Sequence, residues 1–249
     1  MAKKLKDYYD ETYVYELAEE IYLRNKEFNK DGFIRKSISS LNELEFGDRQ
    51  SLIAKSIREN MNQSYQETIS VFYQMLGEEL EGTIGAFTEG WRLWPLGKYV
   101  ELYGTEDYPL SIEFSKELTK RFTSEYCMRP LIEYKPEESF AILKEWSLDE
   151  NPRVRRLASE CMRIRLPWAK KSVIALQHFD SYLRVLENLR DDRDKAIQKS
   201  VANNLNDLYK EDPKKFDSII SEWKKNCNSD ACAWIIKHAS RTKEKMKKS

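Results

Sequence analysis

Residues 151–171 read NPRVRRLASECMRIRLPWAKK. Val154, Leu157, Ala158, Cys161 and Met162 recur at i, i+3, i+4, i+7 and i+8, which lines one face of an α-helix with apolar groups. Pro152 suits the first helical turn and Asn151 before it is an N-cap residue, so the spacing predicts a helix over 152–163. Arg153, Arg156, Glu160 and Arg163 fall on the opposite side. The stretch holds seven basic residues, Arg153, Arg155, Arg156, Arg163, Arg165, Lys170 and Lys171, and one acid, Glu160. The whole chain carries 42 basic and 42 acidic residues, so positive charge is gathered here by placement. A basic patch of this kind can hold a phosphate backbone, and a carboxylate inside it could do chemistry there.

The stretch has an echo. DENPRVRRLASE lies over DRDKAIQKSVANN with Val154 on Ile197 and Arg156 on Lys199. The offset of 43 residues falls in the range of HEAT-like helical repeats, about 40–47. Identity is low, but the pattern persists: acidic turn, β-branched residue, basic position, small residue. Asn203 then matches Glu160, and Lys199 and Asn203 share a polar stripe. The expected fold is all-α, a solenoid in which each helix pair buries its apolar face on its neighbours and a basic concave surface follows.

Outward from the repeats, helical periodicity dominates and alternating strand patterns are missing. Helices are expected over 12–28, with Tyr15, Ala18, Ile21 and Tyr22 on one face, over 48–60, 64–77 and 107–122, and onward to about 241. The glycines and aromatics between Gly77 and Gly97 predict a loop or broken helix. One domain is expected over 1–249, with 241–249 a frayed basic tail. No apolar run nears the roughly 18 residues of a membrane span, and the N-terminus lacks the apolar core of a signal peptide. A cytoplasmic protein with four reduced cysteines is therefore expected.

The residue inventory excludes several chemistries. The sequence has two histidines, His178 and His238, and no HExxH, no GxxxxGK[ST] and no CxxC pair. Carboxylates and aromatics are the available tools. Glu160 could be an ordinary surface ion pair with Arg156 and Arg163, adding about 0.2–0.5 kcal/mol each. It could equally be a carboxylate held in a positive field with a lowered pKa. Glu125 follows Thr123 and Ser124, either of which could cap a helix that begins there. Trp168 could plug the core or face nucleic acid, and of Trp91 and Trp94 one could be buried while the other faces a cleft. Asp207 lies on a helix whose apolar stripe is Ile197, Val201, Leu205 and Leu208.

Taken in order, WPLGKYVELYG, FTSEYCMRPLI, NPRVRRLASECMRIRLPWA, SVANNLNDLYK and WIIKHASR resemble the HEAT-like-repeat DNA alkylation-repair glycosylases of the AlkC/AlkD group, more closely the AlkC side. The segments span roughly residues 85–240. The resemblance implies a helical solenoid that holds double-stranded DNA and hydrolyses the N-glycosidic bond of cationic N-methylated bases without a cofactor, as a monomer in the bacterial cytosol or nucleoid. It implies that Glu125 and Glu160 are the active-site carboxylates, with Trp168 the cleft aromatic and Asp207 a further motif position. Trp94, Arg129, Arg153, Arg155, Arg156, Arg163, Arg165, Lys199 and Asn203 are then candidates for contact with DNA. Some AlkC-like proteins carry a small β-domain after the repeats, where this sequence has a short basic tail. Two rival readings use the same residues: a solenoid that binds damaged or branched DNA without excising bases, and a HEAT-type protein scaffold with no affinity for DNA.

Overall fold

The computed structural model describes residues 4–247. They form fifteen α-helices and four short 3-10 turns, with no strand among the described residues. They divide into two compact units. The first comprises residues 1–79 and 85–123 and holds α1 (Glu11–Arg24), α2 (Lys30–Ile38), α3 (Phe46–Asn60), α4 (Tyr65–Tyr73), α5 (Trp94–Tyr103) and α6 (Tyr108–Thr119). The second comprises 80–84 and 124–249. It holds α7 (Glu125–Tyr134), α8 (Pro136–Trp146), α9 (Pro152–Glu160), α10 (Ile174–Gln177), α11 (Phe179–Leu189), α12 (Lys195–Glu211), α13 (Pro213–Asn226), α14 (Asp230–Ala239) and α15 (Arg241–Lys247).

In the first unit α3 packs on α5 and α2, and α1 on α2. The buried face of α1 is Tyr13, Val14, Leu17, Ala18 and Ile21; Ala18 and Ile21 of the expected face lie on it, Tyr22 is half-buried and Tyr15 points outward. Helix α2 was not anticipated: Gly32 and four charged residues mask its short apolar pattern. Most of the glycine-rich stretch is turns, as expected, but α5 begins inside it at Trp94. Pro95 sits in the first turn, where its missing N–H breaks no helical bond. Trp94 is buried among Phe46, Phe87 and Phe122, and Trp91 packs against Tyr8, Tyr9 and Tyr13. Trp94 is thus a core residue of the first unit, not an outward-facing ring.

The second unit contains the repeats. Helix α8 pairs with α9 and α11 with α12, while α9 packs on α12 and α12 on α14. The 43-residue echo is reproduced at atomic detail. Asn151 caps α9 by accepting from Arg153 N, and Asp194 caps α12 by accepting from Ala196 N and Ile197 N. Two residues before each cap, Asp149 and Asp192 accept from the cap residue's own N–H at 2.9 Å. The same local hydrogen bonds therefore turn the chain into both helices.

The repeats differ at their far ends. Helix α12 runs to Glu211, but α9 stops at Glu160, three residues short of the expected end. Cys161 to Val173 form an irregular segment before α10. The segment expected to fray at the C-terminus is helical from Arg241 to Lys247. Thr242 accepts from Asn206 Nδ2, Arg241 donates to Asn203, and Lys243 pairs with Asp217. Residues 248 and 249 lie outside the described residues. Among the described residues no helix is long and apolar enough to cross a membrane.

Candidate active site

Glu160 is the last residue of α9, where the helix dipole disfavours a carboxylate. Two guanidiniums offset this. Arg163 Nη1 donates to Glu160 Oε1 at 2.9 Å, and Arg156 Nη2 stands 4.0 Å from the same oxygen. Ser200 on α12 adds a further hydrogen bond. Glu160 is 7% exposed, so the surface ion-pair reading does not hold. Burial pushes its pKa up, but Arg156 and Arg163 outweigh burial and hold it below the usual carboxylate range.

Glu125 opens α7 and is 4% exposed. Ser124, one of the two candidate caps, occupies the N-cap position, but its hydroxyl makes no capping hydrogen bond. Glu125 Oε1 lies 3.7 Å from Arg156 Nη2, so one guanidinium nitrogen serves both glutamates. Glu125 Oε2 has no hydrogen-bond partner among the described residues. Here burial prevails: despite Arg156, desolvation together with the nearby Glu160 charge raises the Glu125 pKa. Two glutamates side by side are thus driven in opposite directions, one toward the neutral acid and one toward the anion, a division that acid–base work exploits.

Asp207, buried on α12, completes the chain of charges. Its Oδ2 accepts from Arg163 Nε at 3.1 Å and from the Arg165 backbone N–H at 3.3 Å. Arg163 therefore spans Glu160 and Asp207 and ties the end of α9 to α12. Beside it Ser159 and Ser200 hydroxyls meet at 2.7 Å, and Asn204 Nδ2 donates to the carbonyls of both serines. Ser200 and Asn204 were not singled out from the sequence. Their spacing with Asp207, at i, i+4 and i+7, is a polar stripe on a helix already buried on its apolar side, and that was the available signal.

The irregular segment after α9 carries Trp168. Tyr126, next to Glu125, donates its hydroxyl to the Pro167 carbonyl at 3.1 Å. Arg129 donates to the carbonyls of Arg163 and Lys170 at 2.8 and 2.6 Å. Helix α7 thus grips the loop at both ends and holds Trp168 beside the carboxylates' helix. The indole is 72% exposed, which excludes a core plug, and its backbone is left-handed with φ 62°.

The remaining basic candidates divide sharply. Arg153 turns inward and donates to the carbonyls of Leu80, Glu81 and Ile84, so its guanidinium is a structural clamp rather than part of an exposed stripe. Arg155 pairs with Asp192 at 2.7 Å and with two backbone carbonyls. Arg165 and Lys171 share Glu211. Lys199 is exposed, and half-buried Asn203 accepts from Arg241.

Residues 121–243, a span that contains Glu125, Glu160, Trp168 and Asp207, match the family model of the DNA alkylation repair enzymes. A Bacillus subtilis (strain 168) protein, YhaZ, is 34% identical over 241 residues, 96% of this chain and 64% of its own length. The structure of Pseudomonas fluorescens alkylpurine DNA glycosylase AlkC, bound to DNA containing an abasic site analogue, superposes with a TM-score of 0.85 at 28% identity. That match covers 97% of this chain and 65% of AlkC. AlkD2 from Streptococcus mutans shares the fold, with a TM-score of 0.55 at 17% identity over 85% of this chain and 97% of its own. The chain thus spans just under two thirds of the length of YhaZ and AlkC. Over residues 121–243, the segment that carries both glutamates, the chain is thus similar to the DNA alkylation repair enzymes, and its helical fold is that of AlkC.

Proposed function

We propose that the chain is a monofunctional DNA glycosylase that hydrolyses the N-glycosidic bond of cationic N-methylated bases in double-stranded DNA. The observation that carries this reading is the pair of buried glutamates with opposed pKa directions around Arg156, beside an exposed tryptophan. An alkylated purine already bears positive charge and is a good leaving group. Its release needs stabilisation of an oxocarbenium-like sugar and a positioned water, with little acid catalysis, and carboxylates supply both. Glu160, kept anionic by Arg163, supplies the fixed negative charge. Glu125, held toward the neutral form, is suited to accept the proton of the attacking water once it is ionised. The Trp168 face attracts the cationic nucleotide, with a contribution of about 0.5–2 kcal/mol. Asp207 acts through Arg163 to fix Glu160. Among the remaining basic groups, Lys199 and Arg156 are the candidates for phosphate contact, which positions DNA without reading its sequence.

The test is release of free base from methylated DNA by the purified protein. Release of 3-methyladenine is expected, with Glu160→Gln and Glu125→Gln each slowing it by about 10²-fold or more, within the range of single electrostatic and acid–base groups. Undiminished release by both variants sinks the assignment of the site. Tight binding of the DNA without any release by the wild-type protein favours a non-catalytic DNA-binding role instead.

A further inference from the structure

Helices α12 and α14 pack against each other in matched register. Lys195 Nζ lies over the Trp234 ring at 5.4 Å, and two turns further along α12 Asn203 accepts from Arg241 Nη2 at 2.9 Å. These two contacts bracket a third pair. Lys199 is one turn on from Lys195 and His238 one turn on from Trp234, so Lys199 and His238 face each other across the two helices. The His238 imidazole stacks on the Trp234 indole, with ring centroids 4.7 Å and planes 10° apart. Arg241 Nη1 donates to the His238 carbonyl at 2.8 Å. Lys199, Arg241 and the half-buried His238 ring are therefore gathered at one place. Among the described residues none of the three has a carboxylate within ion-pair distance. Arg241 bonds two neutral oxygens, while Lys199 Nζ and the imidazole nitrogens have no hydrogen-bond partner. The crowding of charge is felt at His238, whose pKa burial, Arg241 and Lys199 all push down.

This cluster continues two rows that begin at the candidate active site, because α9 packs on α12 and α12 on α14. Arg156 on α9 corresponds in the repeat register to Lys199 on α12, and Lys199 faces His238 on α14. Glu160 corresponds to Asn203, which Arg241 bonds. The second row thus passes from a carboxylate through a neutral amide to a guanidinium. Its first end suits a cation and its far end an anion. Arg241 also feels the charges of Asp207 and Arg163, so the cluster adjoins the site. We propose that Lys199, Arg241 and His238 form a binding site for a phosphodiester of the DNA strand beside the lesion, and that His238 takes up a proton from solvent as the phosphate arrives. The inference rests on the glycosylase reading and names where that reading's strand is held. An anion among three groups without a counter-ion relieves their mutual repulsion, and each can donate a charge-assisted hydrogen bond to it. The charged groups that act on the imidazole are Lys199 from α12 and Arg241 from α15, and none from α13 does so among the described residues. Both disfavour the imidazolium in the free protein, and a phosphate between them reverses that balance. Trp234 fixes the plane of the ring.

Binding of undamaged duplex tests this separately from base release. In Lys199→Gln, which breaks no bond within the protein, the slope of log K against log salt is expected to fall by about 0.9, the value of one lost phosphate contact. Wild-type affinity should rise by about three- to tenfold from pH 8 to pH 6, within what one linked proton allows. His238→Gln should lose most of that rise while binding nearly as well as wild type at pH 8. A histidine that serves only to pack on Trp234 lowers affinity equally at both pH values. The wild-type protein offers a second measurement should the glutamine variant fold poorly. The chain has two histidines, so the His238 imidazole can be followed by NMR and assigned with His178→Gln. Its titration is expected to move to higher pH when duplex is added, and to move less with inorganic phosphate at the same ionic strength. An equal shift with inorganic phosphate overturns the assignment to the strand in favour of a site for free phosphate. If slope and pH profile are unchanged in both variants while the wild type binds duplex in a salt-dependent way, the inference fails and the glycosylase reading stands. A wild-type protein that neither releases methylated base nor binds duplex overturns that reading, and this inference with it.

Discussion

Glu125 and Glu160 begin with the same intrinsic acidity and end with opposite tendencies, because Arg156 and Arg163 both act on Glu160 while at Glu125 burial and the Glu160 charge outweigh Arg156. The raised pKa of Glu125 means that the folded state binds its proton more tightly than the unfolded chain does. The resulting stability is fully present below the unfolded pKa of about 4.3 and is lost as pH rises through the folded value. Glu160 has the reverse sign: its contribution is present above the unfolded pKa and lost as pH falls through its lowered folded value. Glu125→Gln, which cannot ionise, is therefore expected to melt higher than wild type at pH 8 and to lose that advantage at pH 4, even as excision falls. Equal melting shifts at both pH values contradict the burial argument. Trp168 shows the same tension in its backbone. A tryptophan at φ 62° costs roughly 1–2 kcal/mol, a conformation that glycine adopts freely. Trp168→Gly should match or exceed wild-type stability in urea denaturation and release cationic base more slowly. A loss of stability there shows that the indole contributes more by packing than the strained backbone costs.

At the scale of elements, the repeat was legible because its signals are local. The apolar stripe of 154, 157, 158, 161 and 162 is entirely buried, and the Asn151 cap and the 43-residue register both hold. What sequence could not give was the role of groups whose partners lie far along the chain. Arg153 meets carbonyls some 70 residues earlier, Arg155 meets Asp192, and Asp207 meets Arg163. Periodicity placed Arg153, Arg156, Glu160 and Arg163 on a polar face, but not that α7 and α12 would close over most of it. The end of α9 was missed for a related reason. The apolar pattern continues through Met162, and the departure from the helix at Cys161 is fixed by the tertiary bonds of Arg163, Arg165 and Asp207. The caps permit a direct check. Asp194 accepts from two backbone N–H groups of α12 and from Thr83 Oγ1. Asp194→Ala is therefore expected to cost about 1–2 kcal/mol in chemical denaturation, the upper part of the range for N-cap removal. Asn151→Ala, which removes the acceptor of the Arg153 N–H, is expected to cost about 1 kcal/mol.

Over the whole molecule 42 positive charges balance 42 negative ones, so the DNA binding proposed above depends on which cations are left unneutralised at the surface. The basic stretch is less available than its composition suggests. Arg153 serves backbone carbonyls, Arg155 serves Asp192, Arg163 serves Glu160 and Asp207, and Arg165 and Lys171 converge on Glu211. Glu211 is therefore a brake on the electrostatic field. Its side chain is 13% exposed while Arg165 and Lys171 are about half exposed, so a single carboxylate neutralises two cations that otherwise face solvent. Glu211→Gln gives the chain one net positive charge and frees both partners. Tighter binding to undamaged duplex at low salt is expected, with the slope of log K against log salt steepening by about 0.9 for each phosphate newly engaged. Arg153→Ala is the contrasting case. It removes the donor to the carbonyls of Leu80 and Ile84, costs about 0.5–1.5 kcal/mol of stability and leaves the slope unchanged. If Glu211→Gln does not alter the slope and Arg153→Ala does, then DNA lies against the clamp that holds residues 80–84 and not against the Arg165 and Lys171 pair.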